Sequence, residues 1–210
     1  MPIVVPDVLN EDQIRTVSAT VKQAGFTDGR ETAGARTRGI KNNLQTHDNT
    51  DPALQALILA ALARNGLCNT VVAPKKIIPP RFKLYKEGMY YGDHVDNAIM
   101  QDAGAPLRVD MSFTLFISGP KDYGGGELVI KGPQGPTPFK LPAGHMIVYP
   151  TYYYHEVTPV TRGERAGLRH LAVKHDPRFG KARGAARTGA CQQPCRNRRQ
   201  SCAGAAAGPS

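Results

Sequence analysis

The residues best placed to do chemistry are His94, Asp96, His155 and Arg165. In an extended segment, side chains at i and i+2 leave the backbone on one side. His94-Val95-Asp96 therefore presents an imidazole and a carboxylate together. Adding one distant histidine gives the two-His-one-carboxylate face of non-haem Fe(II) oxygenases, with three coordination positions left free. A 2-oxoacid can take two of those and O2 the third. An H-x-D pattern alone is weak, because surface loops produce it by chance, so its weight comes from the downstream residues. Pro142 through Pro150 reads as turn, strand and proline break, and His155 then opens the β-type run Val157-Thr158-Pro159-Val160. Ten residues on stands Arg165. If the chain turns back at Arg162-Gly163-Glu164, Arg165 starts the next strand beside the one carrying His155, where a guanidinium can grip a carboxylate at two points. Arg162 fits a solvated arginine better.

Elements able to position these groups are visible on either side. Asn10 caps a helix, with Gln13 in capping-box position and Ile14, Val17 and Val21 at helical spacing before Gly25. Asp51 and Pro52 open a second helix, whose apolar face is Leu54, Leu57, Ile58, Ala61 and Leu62 and which Gly66 stops. The polar stretch between them, residues 33–50, reads as strand and loop. After Gly66 come short β-type runs: Arg81 to Tyr85, Val109 to Ser118, Glu127 to Lys131, His145 to Tyr149 and His155 to Val160. Pro120 through Gly126 is a turn. The expected fold is mainly β with backing helices around a jelly-roll or double-stranded β-helix core. Residues 1–75 form a helical and strand support region, 76–173 the double-stranded β-helix domain, and 174–210 a basic disordered tail.

The chain has 210 residues and a formal charge of +10. Residues 174–210 hold eight Lys/Arg and one acid, a net +7, which leaves +3 for the rest. Basicity is thus a property of the tail. That tail has a single aromatic, Phe179, and no series of them interleaved with its charges for base stacking, so a nucleic-acid partner is not expected. No apolar run is long enough to span a bilayer and no signal-peptide pattern opens the chain, which makes a cytoplasmic protein the expectation. Cys68 reads as a small core residue. Cys191, Cys195 and Cys202 lack the paired spacing of a zinc site.

The chain resembles the PKHD-type hydroxylases, bacterial relatives of the prolyl 4-hydroxylase catalytic domain. The resemblance is carried by Asp28-Gly29-Arg30, Lys41-Asn42-Asn43, Tyr91-Gly92-Asp93-His94-Val95-Asp96, Thr114-Leu115-Phe116, Gly125-Gly126-Glu127-Leu128, Leu141-Pro142-Ala143-Gly144, Tyr149-Pro150 and His155 through Arg165. It implies a double-stranded β-helix, one Fe(II) on His94, Asp96 and His155, and 2-oxoglutarate on Arg165. The activity implied is a dioxygenase that couples oxidative decarboxylation of 2-oxoglutarate to hydroxylation of a further substrate. Ascorbate dependence and a link to bacterial iron homeostasis are implied as well. Tyr85, on the strand before His94, matches a tyrosine that bonds 2-oxoglutarate in prolyl hydroxylases; a core tyrosine is the alternative. His145 stands where relatives have Asp and reads as structural or exposed. His47, His170 and His175 show no ligand spacing. Tyr152-Tyr153-Tyr154 lines an entrance or packs, and Asn42 and Asn43 face the substrate or form a turn. Asp96 supplies the carboxylate that halogenases give up, so halogenation is not expected.

Beyond Arg165 the chain departs from the pattern. Relatives continue as an apolar strand, roughly ASFxWIQS-[MT]-IRD, whereas this chain reads Ala166-Gly167-Leu168-Arg169-His170-Leu171-Ala172-Val173-Lys174-His175-Asp176-Pro177-Arg178. Lys-His-Asp-Pro-Arg can be encoded as AAG CAT GAT CCG CGN, which read one base later gives Ser-Met-Ile-Arg. A frameshift after about Arg165 is the expectation, and with it a second functional reading: a metal-binding β-helix, catalytically impaired because its C-terminal strand is damaged.

Overall fold

The computed structural model describes residues 1–46, 51–72, 74–78, 81–102 and 104–174. The tail read as disordered, with its three cysteines, lies outside them apart from Lys174, which ends a strand; His47 and His175 lie outside them as well. In chain order the first elements are β1 (Ile3–Val5), α1 (Glu11–Gln23), β2 (Phe26–Asp28), β3 (Lys41–Asn42), β4 (Leu44–Thr46), α2 (Pro52–Arg64) and α3 (Gly66–Val72). The strands β5 (Pro74–Ile77), β6 (Arg81–Tyr85), β7 (Tyr90–His94), β8 (Ile99–Asp102), β9 (Ala105–Arg108) and β10 (Met111–Phe116) follow. Then come β11 (Tyr123–Gly125), β12 (Leu128–Gly132), β13 (Gly135–Phe139), β14 (Met146–Pro150), β15 (Tyr154–Val157), β16 (Val160–Gly163) and β17 (Arg165–Lys174).

Both expected helices form for the expected reasons. Asn10 accepts from the backbone of Gln13, and the Gln13 side chain accepts from the backbone of Asn10. Asp51 accepts from Ala53 N, with Pro52 in the first turn. The helix α3 is not expected from the sequence, since Gly66 reads as a stop followed by strands. Asn65 does end α2, but its side chain accepts from Cys68 N and caps a new helix at once.

Two antiparallel sheets carry the fold. The larger runs β1-β14-β10-β17-β6-β4-β2, with β5 on β17, and the smaller runs β13-β12-β15-β7-β3. Strands from residues 1–75 are woven into both, and residues 1–175 form one compact unit. Period-two alternation gives the larger sheet two different faces. Phe82, Phe113, Leu115, Met146, Val148 and Leu168 join a core with Val17 of α1 and Leu54, Ile58 and Leu62 of α2. Tyr85, Phe116, Ile147 and Tyr149 join Leu128, Ile130 and Val157 of the smaller sheet in a second core. This layering is the double-stranded β-helix with backing helices that the sequence implied.

Two expected elements differ in detail. The run His155 to Val160 is not one strand. Thr158 leaves the sheet, donating to Glu127 Oε2 at 2.6 Å and accepting from Glu127 N at 2.9 Å, and β16 then pairs with β11, inside the segment read as a plain turn. Arg165 does begin the next long strand, but not beside β15. After Gly163, at φ 71° and so close to Asp122 O that a Cβ would clash, the chain enters the larger sheet. There β17 lies between β10 and β6.

Burial ranks the expected cost of truncation. Ile58 on α2 is fully buried, whereas its neighbour Leu59 is 36% exposed. Ile58→Ala is expected to destabilise the protein by about 2–5 kcal/mol, and Leu59→Ala by no more than about 0.5 kcal/mol, as read by urea denaturation.

Candidate active site

The site is built by strand register. His94 ends β7, and His155 sits directly opposite it on β15. Cross-strand neighbours in an antiparallel pair lie within about 4.5–5.5 Å, and here the two ring centroids are 4.2 Å apart. Asp96 follows β7 and turns into the same space, so that donor atoms of His94, Asp96 and His155 all lie within 4.8 Å of one another. All three residues are buried.

Each imidazole is oriented from behind. His94 Nδ1 donates to Gly92 O at 2.7 Å and His155 Nδ1 donates to Tyr153 O at 3.0 Å. With the proton held on Nδ1, each Nε2 carries a bare lone pair, the state needed for metal binding. His94 Nε2 is buried with no hydrogen-bond partner. Tyr91 stacks on His94 with centroids 3.6 Å apart, and Tyr149 meets His155 edge-on at 5.0 Å. Burial lowers the pKa of both histidines, with the neighbouring positive groups adding to it for His94, so both rings are neutral at ordinary pH.

Asp96 Oδ2 accepts from Ser112 Oγ at 2.6 Å and from Arg169 Nε at 3.2 Å. Its Oδ1 faces His155 Nε2 at 3.6 Å and His94 Nε2 at 3.9 Å. The same Oδ1 is also bound by Arg169 Nη2. Burial works to raise the Asp96 pKa, but the Arg169 guanidinium, with the Ser112 hydrogen bond, outweighs it and holds the carboxyl well below the usual range. Arg169 is absent from the residues that the sequence singled out. A signal was available: Arg165, Gly167 and Arg169 share one parity of β17, so a strand that turns Arg165 inward turns Arg169 inward too.

Arg165 is 2% exposed and pairs in register with Tyr85 on β6. Its guanidinium lies 5.1 Å from the Tyr85 ring centroid and 5.4 Å from that of Phe116. Its Nε and Nη2 are buried without a hydrogen-bond partner. An orphaned buried guanidinium is costly and marks a place for a carboxylate. Arg162, by contrast, is exposed on β16. A narrow cavity of about 20 Å³, room for about one water, is lined by Arg165, Tyr85, His94 and His155. Arg169 and Lys83 are also in its wall.

A larger cavity of about 910 Å³ shares Lys83, Tyr91, His94 and Arg169 with the narrow one and adds Asp96 to its wall. Tyr154 stands in its wall, while Tyr153 is in the inner core and Tyr152 is exposed. Neither Asn42 nor Asn43 lines it, but Lys41 does. Asn42 bonds Gly88 O, and Asn43 bonds Leu44 O. Burial, together with Arg169 and Arg81, pushes the Lys41 ammonium down to about 8. Among the remaining candidates, His145 lies in the turn before β14 and lines neither cavity, and Cys68 is buried in the helix-side core.

Comparisons with known proteins agree with this geometry. The sequence profile of the 2OG-Fe(II) oxygenase superfamily matches residues 80–171. A PKHD-type hydroxylase of Paraburkholderia phytofirmans is 48% identical over 166 residues, which cover 77% of this chain and 73% of the relative. One from Saccharophagus degradans is 43% identical over 169 residues, covering 79% and 75%. A prolyl-4-hydroxylase crystal structure from Pseudomonas putida superposes with TM-score 0.61 at 23% identity, covering 83% of this chain and 93% of that one. The viral collagen prolyl hydroxylase of Paramecium Bursaria Chlorella virus-1 gives 0.56 at 19% identity, with 82% and 96% covered. At that identity the solved structures speak for the shared fold, whereas the closer sequences define the family. The chain belongs to the PKHD-type hydroxylases of the 2OG-Fe(II) oxygenase superfamily, enzymes of the 2-oxoglutarate-dependent dioxygenase class.

Proposed function

We propose that His94, Asp96 and His155 hold the Fe(II), and that Arg165, with Tyr85 beside it, holds the distal carboxylate of 2-oxoglutarate. One observation carries this reading: a bare, buried His94 Nε2 and an orphaned Arg165 guanidinium open on the same narrow cavity. When bound, the iron and 2-oxoglutarate supply the oxidative chemistry that hydroxylates a further substrate with O2. The protein's part is to keep both imidazoles neutral and aimed, to keep the carboxylate ionised, and to exclude bulk water from the buried donors. The aromatic walls of Tyr85 and Phe116 fix the guanidinium plane for a two-point grip. The absence of a long apolar helix among the described residues is compatible with a cytoplasmic location.

A second reading, a metal-binding β-helix with impaired turnover, is favoured by one specific contact. Arg169 occupies the Asp96 oxygen that faces both histidines, and it also stands in the wall of the 2-oxoglutarate cavity. A guanidinium on that oxygen opposes a metal cation there, by charge and by occupancy.

Two measurements test the site assignment and a third separates these readings. Replacing His94, Asp96 or His155 by Ala is expected to weaken anaerobic Fe(II) binding by at least about tenfold, since each removes one of three ligands, while His145→Ala leaves it unchanged. Tight binding by Asp96→Ala would remove the assignment. For the cosubstrate, Arg165→Ala is expected to raise the 2-oxoglutarate Kd by about ten- to a hundredfold, the size of a lost charge-assisted pair, at unchanged Fe(II) affinity. Arg165→Lys restores part of it and Arg162→Ala changes neither. Finally, Arg169→Leu is expected to tighten Fe(II) binding by about tenfold or more and to raise succinate release. If Arg169→Leu leaves both unchanged, Arg169 does not impair the site.

A further inference from the structure

The segment that the sequence presents as a plain turn carries a buried phenol. Tyr123 opens β11, is 1% exposed and joins the core between the sheets with Tyr85 and Phe116. Its surroundings hold it in place. Lys140 Nζ lies 4.3 Å from the Tyr123 ring centroid and donates to Tyr123 O at 2.8 Å. Gly126, at φ 66°, comes so near that a Cβ there would stand 3.1 Å from the ring. Backbone and ring are both fixed, so the fold also decides where the hydroxyl points.

That hydroxyl is buried without a hydrogen-bond partner, and so are Nε and Nη2 of Arg165. The two side chains are neighbours. Strand β11 pairs Tyr123 with Gly163, two residues before Arg165. The guanidinium of Arg165 lies over the rings of Tyr85 and Phe116, and both of these pack in one core with Tyr123. The electrostatics agree: burial raises the Tyr123 pKa, and the Arg165 guanidinium works against it. The phenol is therefore protonated at ordinary pH and able to donate. Folded proteins leave few buried polar groups unpaired, yet here three orphaned atoms on two neighbouring side chains are all donors. One acceptor with two oxygens would serve them together. Glu127 is the nearby carboxylate, and it is engaged elsewhere: it accepts from Thr158 Oγ1 at 2.6 Å and faces Lys140 Nζ at 3.9 Å.

We infer that Tyr123 is a second anchor for the distal carboxylate of 2-oxoglutarate, donating its phenolic O–H to the group that Arg165 grips. This rests on the reading of Arg165 given above and adds a residue to it. The labour is divided: Tyr85 and Phe116 wall the guanidinium, Arg165 supplies the charge, and Tyr123 brings a hydroxyl from a different strand. A carboxylate held from two directions is fixed in position as well as neutralised. Both donors address the far end of the molecule, so Tyr123 favours a 2-oxoacid with a carboxylate there over one of equal length without it.

The test loads the full chain with Mn(II), a redox-inert metal, and titrates 2-oxoglutarate by calorimetry. The control is 2-oxopentanoate, which has the same chain length and lacks the distal carboxylate. Tyr123→Phe removes only the hydroxyl, and it is expected to weaken 2-oxoglutarate binding by about tenfold or more. Mn(II) affinity is unchanged, and 2-oxopentanoate behaves alike with variant and parent. In thermal melts without 2-oxoacid the variant is at least as stable as the parent, since the lost hydroxyl had no partner, whereas the upward shift produced by 2-oxoglutarate shrinks. The inference is overturned if Tyr123→Phe binds 2-oxoglutarate as the parent does while Arg165→Ala does not. It is overturned as well if both 2-oxoacids weaken equally, or if the unliganded variant melts well below the parent, because either result assigns the phenol to packing. If Arg165→Ala also binds 2-oxoglutarate unchanged, the reading of Arg165 falls and this inference falls with it.

Discussion

The structure around the site depends on one buried carboxylate. Asp96 lies between the sheets, its side chain 2% exposed, and a bare charge there is costly enough that it must be paired. Ser112 on β10 supplies one hydrogen bond, Arg169 on β17 a bidentate ion pair, and two neutral imidazoles close the remaining side. Each partner arrives on a different strand, so satisfying Asp96 requires β7, β10, β15 and β17 to be in register at once. A metal cation meets the same requirement from the other side of the carboxylate. What neutralises Asp96 is therefore both a folding question and the question of whether the site can be loaded.

The remaining chemistry comes from alternation along two adjacent strands. On β6, Phe82 enters the helix-side core while Lys83 and Tyr85 turn inward. On β17, Leu168 enters the same core while Arg165, Gly167 and Arg169 turn inward. The apolar residues attach the sheet to α1 and α2, and their polar neighbours are thereby committed to the space between the sheets. Stability and function thus share the same backbone, with even positions holding the fold and odd positions lining the cavities.

This division explains what the sequence made legible. His94 and Asp96 could be read because their spacing of two has a direct geometric meaning, and His155 because a strand pattern surrounds it. The capping box at Asn10 and the start of α2 at Asp51-Pro52 are local signals and appeared where they were read. The helix α3 was not legible, because Gly66 ends one helix while Asn65 caps another, and breaker and cap coincide. The place of β17 was hidden for a different reason. A turn at Gly163 shows that the chain reverses, but not which sheet receives it, and that choice is made by non-local pairing with β10 and β6. Lys83 as a cavity wall was likewise invisible, since a lysine in a β-type run reads as a solvated face.

Arg169 shows how a strand's frame decides what its residues meet. Residues 165–174 form a central strand paired on both sides. Backbone pairing asks little of the individual side chains, and Ala166 and Leu168 are apolar enough to meet the helix-side core. Parity is then inherited whatever residue comes next: position 169 must point at Asp96, because 165 and 167 already face the same space. This chain brings a guanidinium to that position, and the buried carboxylate captures it. A residue that costs the sheet little thus has its effect concentrated on the one oxygen that a metal would need.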